Sequence, residues 1–482
     1  MTPLLLLSAM ALAQEDLPEG EFYGHDRLLL TTTSSANLDA DGTDLAQGPT
    51  LSHRLRMGLR YPIKSWELDT EWDLLTGQVA GDTWAVDGDL DERNRQTLAG
   101  WTTAGHYARK LAVKGSIYNV QTEVGLVTSH WGLGMVANDG AHDPVFGRSD
   151  FGDRVLRARA TAAPLHGLVP LYFTIAADRV VADDFARWSR DQAAWQGIFS
   201  ALWRRDVTAG VYVVRRRQHE RADDRLTKVW MMDAFADGHV DVGSWDLRLA
   251  AEAATILGST DRTLVYGSAD PMKVRSAGAT ALAQLTGPEG RGWLLLRAGW
   301  ASADRNPDDD RTTDFTFDRD FDVGMVMFDE LTGGIEAAAS AQLTDPENVG
   351  KPPDGIEALT TEGAFRKGSF LQPSVGWRPQ EWFEVRAGVT LAWTPVPYHQ
   401  PFYTARAGGV LTNHHDQPAA SGLMGTELNL RAQMWGAPHQ LGGQAFRLHG
   451  GFQVGTLFLG PALEGAGPDQ VNHAQSWVRV DF

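Results

Sequence analysis

The segment Trp66–Leu74 constrains the fold more than any other part of this chain. Trp66, Leu68, Thr70, Trp72 and Leu74 alternate with Glu67, Asp69, Glu71 and Asp73. A period of two is the signature of a strand, and here one face is apolar and the other carries four carboxylates. Four carboxylates in a row on one face need water or cations beside them. The cations stand next door. His53, Leu55, Met57, Leu59 and Tyr61 share one face of the preceding segment, and Arg54, Arg56 and Arg60 share the other. Pro62-Ile63-Lys64 is short enough for a hairpin, which lays the arginine face beside the carboxylate face.

The pattern recurs along the chain. In Trp245–Leu257, Trp245, Leu247, Leu249, Ala251 and Ala253 oppose Arg248 and Glu252. In Phe383–Trp393, Val385, Ala387, Val389, Leu391 and Trp393 oppose Glu384 and Arg386. In Gly422–Met434, Met424, Leu428, Leu430 and Ala432 oppose Glu427, Asn429, Arg431 and Gln433. Connections alternate too. Short ones lie at Pro62–Lys64, Arg205-Asp206, Gly287–Arg291 and Arg378–Glu381. Long polar ones lie at Gly77–Gly100, Ser129–Gly152, Asp304 to about Phe365, and Thr394–Ala420. Apolar-out, polar-in strands joined by alternately short and long connections describe a transmembrane antiparallel β-barrel with short periplasmic turns and long extracellular loops. Parity gives about 18 strands, with 16 as the alternative, because Glu336–Leu343 also fits a strand inside the largest loop. Trp66, Trp203, Trp293, Trp377, Trp382 and Trp435 lie beside the short turns and fit an interfacial aromatic girdle. The chain ends Trp477-Val478-Arg479-Val480-Asp481-Phe482, and a terminal Phe482 with alternating valines resembles the signal read by the barrel-assembly machinery.

Composition excludes several classes. There is no cysteine, which removes disulfides, thiol catalysis and cysteine-ligated metals. The longest uncharged stretch, Ala160–Ala177, contains Pro164, Gly167 and Pro170 and cannot cross a bilayer as one helix. Any crossing must then be made by closed strands in contact with outer-membrane lipid. Residues 1–13, with Leu4–Leu7 followed by Ala11-Leu12-Ala13, read as a signal peptide, although no Lys or Arg precedes the apolar run. Residues 14–482 then form one barrel in the bacterial outer membrane.

The formal net charge is −18, so nucleic acid is not an expected partner. The acidity is uneven, with ten acidic residues against three arginines between Asp304 and Glu330. The strand faces are mixed. Arg54, Arg56, Arg60, Lys110, Lys114, Arg157, Arg159, Arg248, Arg386 and Arg431 point inward with Glu67, Asp69, Glu71, Asp73, Glu252 and Glu427. Such a lumen either favours anionic solutes through its local field or pairs its own charges to hold the wall. Removing Arg54 and Arg56 should lower anion preference if the first holds.

Three loop motifs are candidate sites. Ser129–Met135 with Asn138-Asp139-Gly140 and His142-Asp143-Pro144 is rich in glycine and aromatics, and His130, Trp131, Asn138 and Asp139 are candidate constriction residues. Ser, His and Asp all occur there, but their roles in catalysis need a geometry that one loop's letters do not supply. Asp304, Asn306, Asp308 and Asp310 alternate like calcium ligands, yet Asp309 stands where such a loop needs Gly and Phe315 where it needs Glu. No other cofactor is implied. His414-His415-Asp416 reads as surface, its histidines pointing apart.

The run Ala301-Ser302-Ala303-Asp304-Arg305-Asn306-Pro307-Asp308, followed by Phe315-Thr316-Phe317, resembles a loop of bacterial alginate-export-type outer-membrane porins, with Ala303 where that pattern has Gly. The resemblance implies an outer-membrane conduit for an anionic polysaccharide or a small anion. The function expected is therefore a non-enzymatic passive channel or export conduit, its pore narrowed by an inward fold of Asp304 to about Phe365 or of Ser129–Gly152, the former being otherwise an extracellular loop. The rivals are an outer-membrane enzyme of lipase or protease type and a plugged structural barrel.

Overall fold

The computed structural model describes residues 20–482 except 82–105, 150–151, 166–168, 222–223, 263–270, 307–308, 346, 349–360, 362, 442–443 and 466–467. The expected signal peptide and most of the Gly77–Gly100 connection lie outside the described residues.

Eighteen long strands make the wall. They are β1 Glu21–Thr33, β2 Gln47–Ile63, β3 Trp66–Gly81, β4 Tyr107–Ile117, β5 Val120–Thr128 and β6 Arg154–Ala162. They continue with β7 Leu171–Ala182, β8 Gln192–Arg204, β9 Val207–Glu220, β10 Arg225–Val242, β11 Trp245–Thr260 and β12 Met272–Thr286. The last six are β13 Gly292–Ala301, β14 Ser369–Gln380, β15 Phe383–Thr394, β16 Gly422–Trp435, β17 Gln444–Leu459 and β18 Gln470–Asp481. Each pairs antiparallel with its sequence neighbour. β1 pairs with β18 from His25–Asp481 to Thr33–His473, which closes the sheet and leaves no edge. Gly24 and Phe482 exchange backbone hydrogen bonds of 2.8 and 3.0 Å, so the terminal residue completes the seam.

Hairpin chemistry sets the register on the short-turn side. Two-residue turns join Ile63 to Trp66, Ile117 to Val120 and Val242 to Trp245. Their first residues, Lys64 (φ 57°), Tyr118 (φ 54°) and Gly243 (φ 66°), are left-handed, as turns that match strand twist require. The outward positions carry the belt that alternation demands: Trp72, Val124, Ile175, Phe199, Val211, Trp230, Leu249, Leu294, Leu430 and Val454 are all exposed. A closed sheet with such a belt satisfies its backbone internally and offers hydrocarbon to lipid. The chain is a bacterial outer-membrane β-barrel.

Three sequence expectations are corrected. Glu336–Leu343 is not a strand: it lies in the helix α1 Gly333–Thr344. Its small residues let it sit buried inside the barrel. Met424 does not face outward. β16 bulges between Leu423 and Gly425, and Met424 turns into the core. Trp293 and Trp435 do not join the girdle. Trp293 shares the face of Arg297, with the Arg386 guanidinium 5.8 Å from its ring centre, and Trp435 shares the face of Arg431, with Arg378 at 5.2 Å. Position beside a turn does not decide which side a residue faces; strand parity does. Trp203 and Trp377 do face out.

Inside the extracellular half, the segment after β13 folds into the barrel. Phe315, Phe317, Phe321, Phe328 and Phe365 pack with Phe370 of β14, with ring-centre distances of 5.0 Å for Phe317–Phe365 and 4.9 Å for Phe365–Phe370. Met424 and Leu457 of the wall and Leu38, Leu45 and Met135 of other loops join the same core. The segment therefore fills the β14–β17 side of the mouth.

Candidate functional site

The inward face of the wall is a set of cross-strand ion pairs. Arg56 donates two hydrogen bonds to Asp73 (2.7 and 2.9 Å), and Arg54 Nε lies 3.6 Å from the same carboxylate. Register produces this, since Arg56 stands opposite Asp73 across β2–β3. Asp69 accepts from Lys114 (2.5 Å) and from the Tyr23 hydroxyl (3.1 Å), while Glu67 stands opposite Lys114. Glu71 accepts from Lys110 (3.2 Å) and Arg109 (2.8 Å). Further round, Arg157 grips Asp178 at 2.9 and 2.6 Å, Arg248 grips Asp237 at 2.7 Å, and Arg159 meets Glu123 at 3.1 Å. Arg60 pairs with the more exposed Glu21 at 3.0 Å, and Glu384 accepts from both Arg386 and Arg378.

Glu252, Glu427, Arg386 and Arg431 do more than line the wall: they hold inward-folded chain. Glu427 is fully buried and accepts three backbone N–H groups, from Met325 (2.7 Å), Val326 (3.2 Å) and Met327 (2.7 Å). It fastens the segment after β13. Glu252 accepts the Leu133 N–H, and Arg431 and Arg386 donate to the Pro144 carbonyl at 3.2 and 3.4 Å. These three fasten the β5–β6 loop. Trp131 of that loop donates to Asp233 (2.7 Å) and stacks on Tyr212 with ring centres 4.8 Å apart. Asn138 N–H donates to Asp318 (3.1 Å) and Gly152 N–H to Asp320 (2.6 Å), so the two inward segments are tied to each other. Glycine is required where the loop meets the wall. Gly132 has φ +57°, and a Cβ there would lie 2.5 Å from the Glu252 carboxylate.

The β5–β6 loop separates two cavities. On the extracellular side, a cavity of about 290 Å³ is lined by Ser129, Val136, Ala137 and Asp153 of the loop and by β8–β12. On the periplasmic side, a cavity of about 370 Å³ is lined by residues 140–144 and 147–149 of the loop and by β1–β3 and β16–β18. The periplasmic cavity presents Arg27, Arg54, Arg56, Arg148, Arg431 and Arg479 against Glu71 and Asp143.

At the tip of the loop, His130, Asp139 and His142 come together. His142 Nδ1 is 3.2 Å and His130 Nδ1 3.8 Å from Asp139 Oδ1, and the two imidazoles stack with centres 4.3 Å apart. Burial alone would push the Asp139 carboxyl up; the His142 hydrogen bond, the His130 ring and the Ala141 N–H hold it down at about 2. Burial lowers the His130 imidazole against the pull of Asp139, and the Asp139 hydrogen bond raises that of His142.

The other candidates are placed differently. Asp304 accepts the N–H groups of Asn306 (3.0 Å) and Thr313 (3.2 Å), Asp310 pairs with Lys273 (2.5 Å), and Asp308 lies outside the described residues. The His414 and His415 rings do not point apart: their centres are 4.0 Å from each other, and His414 is buried.

Sequence reasoning missed Arg109 and His142. Arg109 sits in a bulge, where the register slips between Glu71 and Trp72, so it and Lys110 both reach Glu71 although adjacent residues of a regular strand face opposite ways. The signal for His142 was its spacing of three residues from Asp139, which places both in one turn.

A closed 18-stranded barrel with a lipid-facing belt, a charged lumen and inward-folded loops defines an outer-membrane β-barrel. Solved structures share this architecture. The chain is similar to OccK5 (OpdH) of Pseudomonas aeruginosa, with TM-score 0.53 and 10% identity over 97% of this chain and 99% of that one. It is similar to P. aeruginosa OccK2 (OpdF), crystallised in complex with glucuronate, with TM-score 0.51 and 9% identity over 96% of each chain. Acinetobacter baumannii OccAB1 gives TM-score 0.51 and 9% identity over 97% of this chain and 98% of that one. No protein-family model and no curated protein sequence matches the chain. At such identities the likeness is one of fold. The alginate-export type, read from a loop motif and from topology, is not supported by these neighbours.

Proposed function

We propose that this protein is a passive outer-membrane channel for small solutes, with a preference for those carrying anionic groups. The observation that carries the reading is the periplasmic cavity, where arginines outnumber carboxylates even after Asp73 is set against Arg54 and Arg56 and Asp481 against Arg479. Guanidinium groups offer both field and hydrogen-bond forks to a carboxylate or phosphate. The complex of OccK2 (OpdF) with glucuronate agrees with a small anion on this fold. Polymeric anions, suggested by the loop resemblance, belong to the same class, but two inward-folded segments favour small solutes. The same reading assigns Phe482 to recognition by the barrel-assembly machinery, supported by its place at the closing seam.

The test is single-channel recording in planar bilayers under a salt gradient. Stable conductance steps with an anion-selective reversal potential are expected. Arg54→Gln and Arg56→Gln are poor probes, because they unmask the Asp73 charge that both arginines hold. Arg27→Gln with Arg148→Gln, which leaves the Asp73 pairs intact, should shift the reversal potential toward cation preference. Stable insertion without conductance would overturn the reading and leave a plugged structural barrel, which the aromatic core in the mouth would then explain.

A further inference from the structure

We propose that His130, Asp139 and His142 form a binding site for a divalent first-row transition-metal ion on the lumen side of the constriction loop. One ligand atom from each residue lies within 4.8 Å of those of the other two. Metal–nitrogen and metal–oxygen bonds of about 2.0–2.2 Å put neighbouring ligand atoms of a tetrahedral zinc about 3.3 Å apart. The 3.2 Å and 3.8 Å separations from Asp139 Oδ1 bracket that spacing and are longer than a charge-assisted hydrogen bond. Two imidazoles and one carboxylate suit zinc, copper, nickel or iron and disfavour calcium and magnesium, which want oxygen alone.

The site is held in place by its surroundings. The Asp139 carbonyl accepts from Arg109 Nη2 at 2.7 Å, and Arg109 is itself pinned to Glu71 in the wall. Asp139 Oδ1 also accepts the Ala141 N–H at 3.1 Å, which orients the carboxylate. A Cβ at Gly152 would lie 2.1 Å from the Asp139 carbonyl oxygen, so the backbone approach that positions this turn depends on glycine. Asn138 fixes the preceding residue through Asp318. A carboxylate oriented by backbone and two histidines anchored in one loop are what a preorganised ligand set needs. Three protein ligands leave coordination positions open, and one of the three, His142, lines the periplasmic cavity. A bound dication there narrows the passage and adds positive charge at the constriction. This last consequence rests on the channel reading; the site itself does not.

Calorimetric titration of ZnCl2 into the purified barrel in detergent tests the site without requiring conduction. One equivalent of zinc should bind, and His142→Ala and His130→Ala should each weaken binding by at least about tenfold, since even changes outside the ligand set cost about 10–100-fold. His142 is exposed, so its alanine variant should fold; retained heat-modifiable mobility on gels checks this. In bilayers, micromolar zinc added from the periplasmic side should reduce wild-type conductance and spare His142→Ala. Absence of zinc binding, or binding by both variants as tight as by wild type, overturns the site while leaving the channel reading untouched. A barrel that binds zinc through His142 yet conducts nothing upholds the site and overturns the channel.

Discussion

At the scale of the residue, the wall is held by charges that cannot be removed singly without cost. Asp73 is fully buried between Arg54 and Arg56. Asp73→Ala leaves two guanidinium groups crowded together without their carboxylate, and breaking a buried pair from one side costs about 3–5 kcal/mol. Arg56→Ala should cost less, because Arg54 still neutralises the carboxylate. Urea unfolding in lipid vesicles measures both; midpoints equal to wild type would mean these pairs do not hold the wall. Much at this scale was legible in the sequence, because a period of two maps directly onto two faces. That an arginine face meets a carboxylate face follows from the hairpin, but the pairing of Arg56 with Asp73 does not, because the turn is Lys64-Ser65 and not Pro62–Lys64, and the turn sets the register. Legibility also failed where the period breaks. Arg109 and Met424 sit at bulges that move one residue to the other face, and nothing in the letters around them marks the slip. Trp293 and Trp435 were misread for another reason: being next to a turn says how deep a residue lies but not which way it points.

At the scale of the element, two long connections fold inward, and each depends on a wall carboxylate that accepts backbone N–H groups. Glu427 serves the segment after β13, and Glu252 serves the β5–β6 loop. Glu427→Ala removes the acceptor for three N–H groups at once, each a buried donor costing about 1–3 kcal/mol when orphaned. The segment should detach from β16, and single-channel traces should show larger and noisier conductance. Glu427→Gln, keeping one acceptor oxygen, should fall between that and wild type. Unaltered traces in both would mean that the aromatic core alone holds the segment. The sequence allowed an inward fold for either connection but did not show what would hold it. Phe315 and Phe317 were visible as part of a motif, yet whether a loop's aromatics meet solvent or a lumen depends on partners such as Phe365 and Phe370, which are distant in the chain. The helix α1 escaped because a run of alanines buried on all sides has no polar face and hence no periodicity to read.

At the scale of the whole molecule, the total charge is negative, whereas arginines outnumber carboxylates among the residues that line the periplasmic cavity. The formal net charge of −18 alone would argue for cations, whereas the periplasmic cavity carries arginines in excess. Two lengths decide which governs a permeating ion. The screening length is about 10 Å at 0.1 M salt and about 3 Å at 1 M. Loop charges farther than this from the constriction are screened before their field reaches it, while the lumen arginines, and Asp318 and Asp320 bonded to the constriction loop, act within a few ångströms of the solute. If field alone makes the selectivity, the anion-to-cation permeability ratio should fall as mean salt rises from 0.1 to 1 M at a fixed gradient, and it should fall toward unity without reversing. A ratio that crosses over to cation preference at low salt would mean that the acidic loops govern entry. A ratio independent of salt would mean that anions are chosen by direct contact with guanidinium forks, and Arg27→Gln with Arg148→Gln should then abolish selectivity at every concentration.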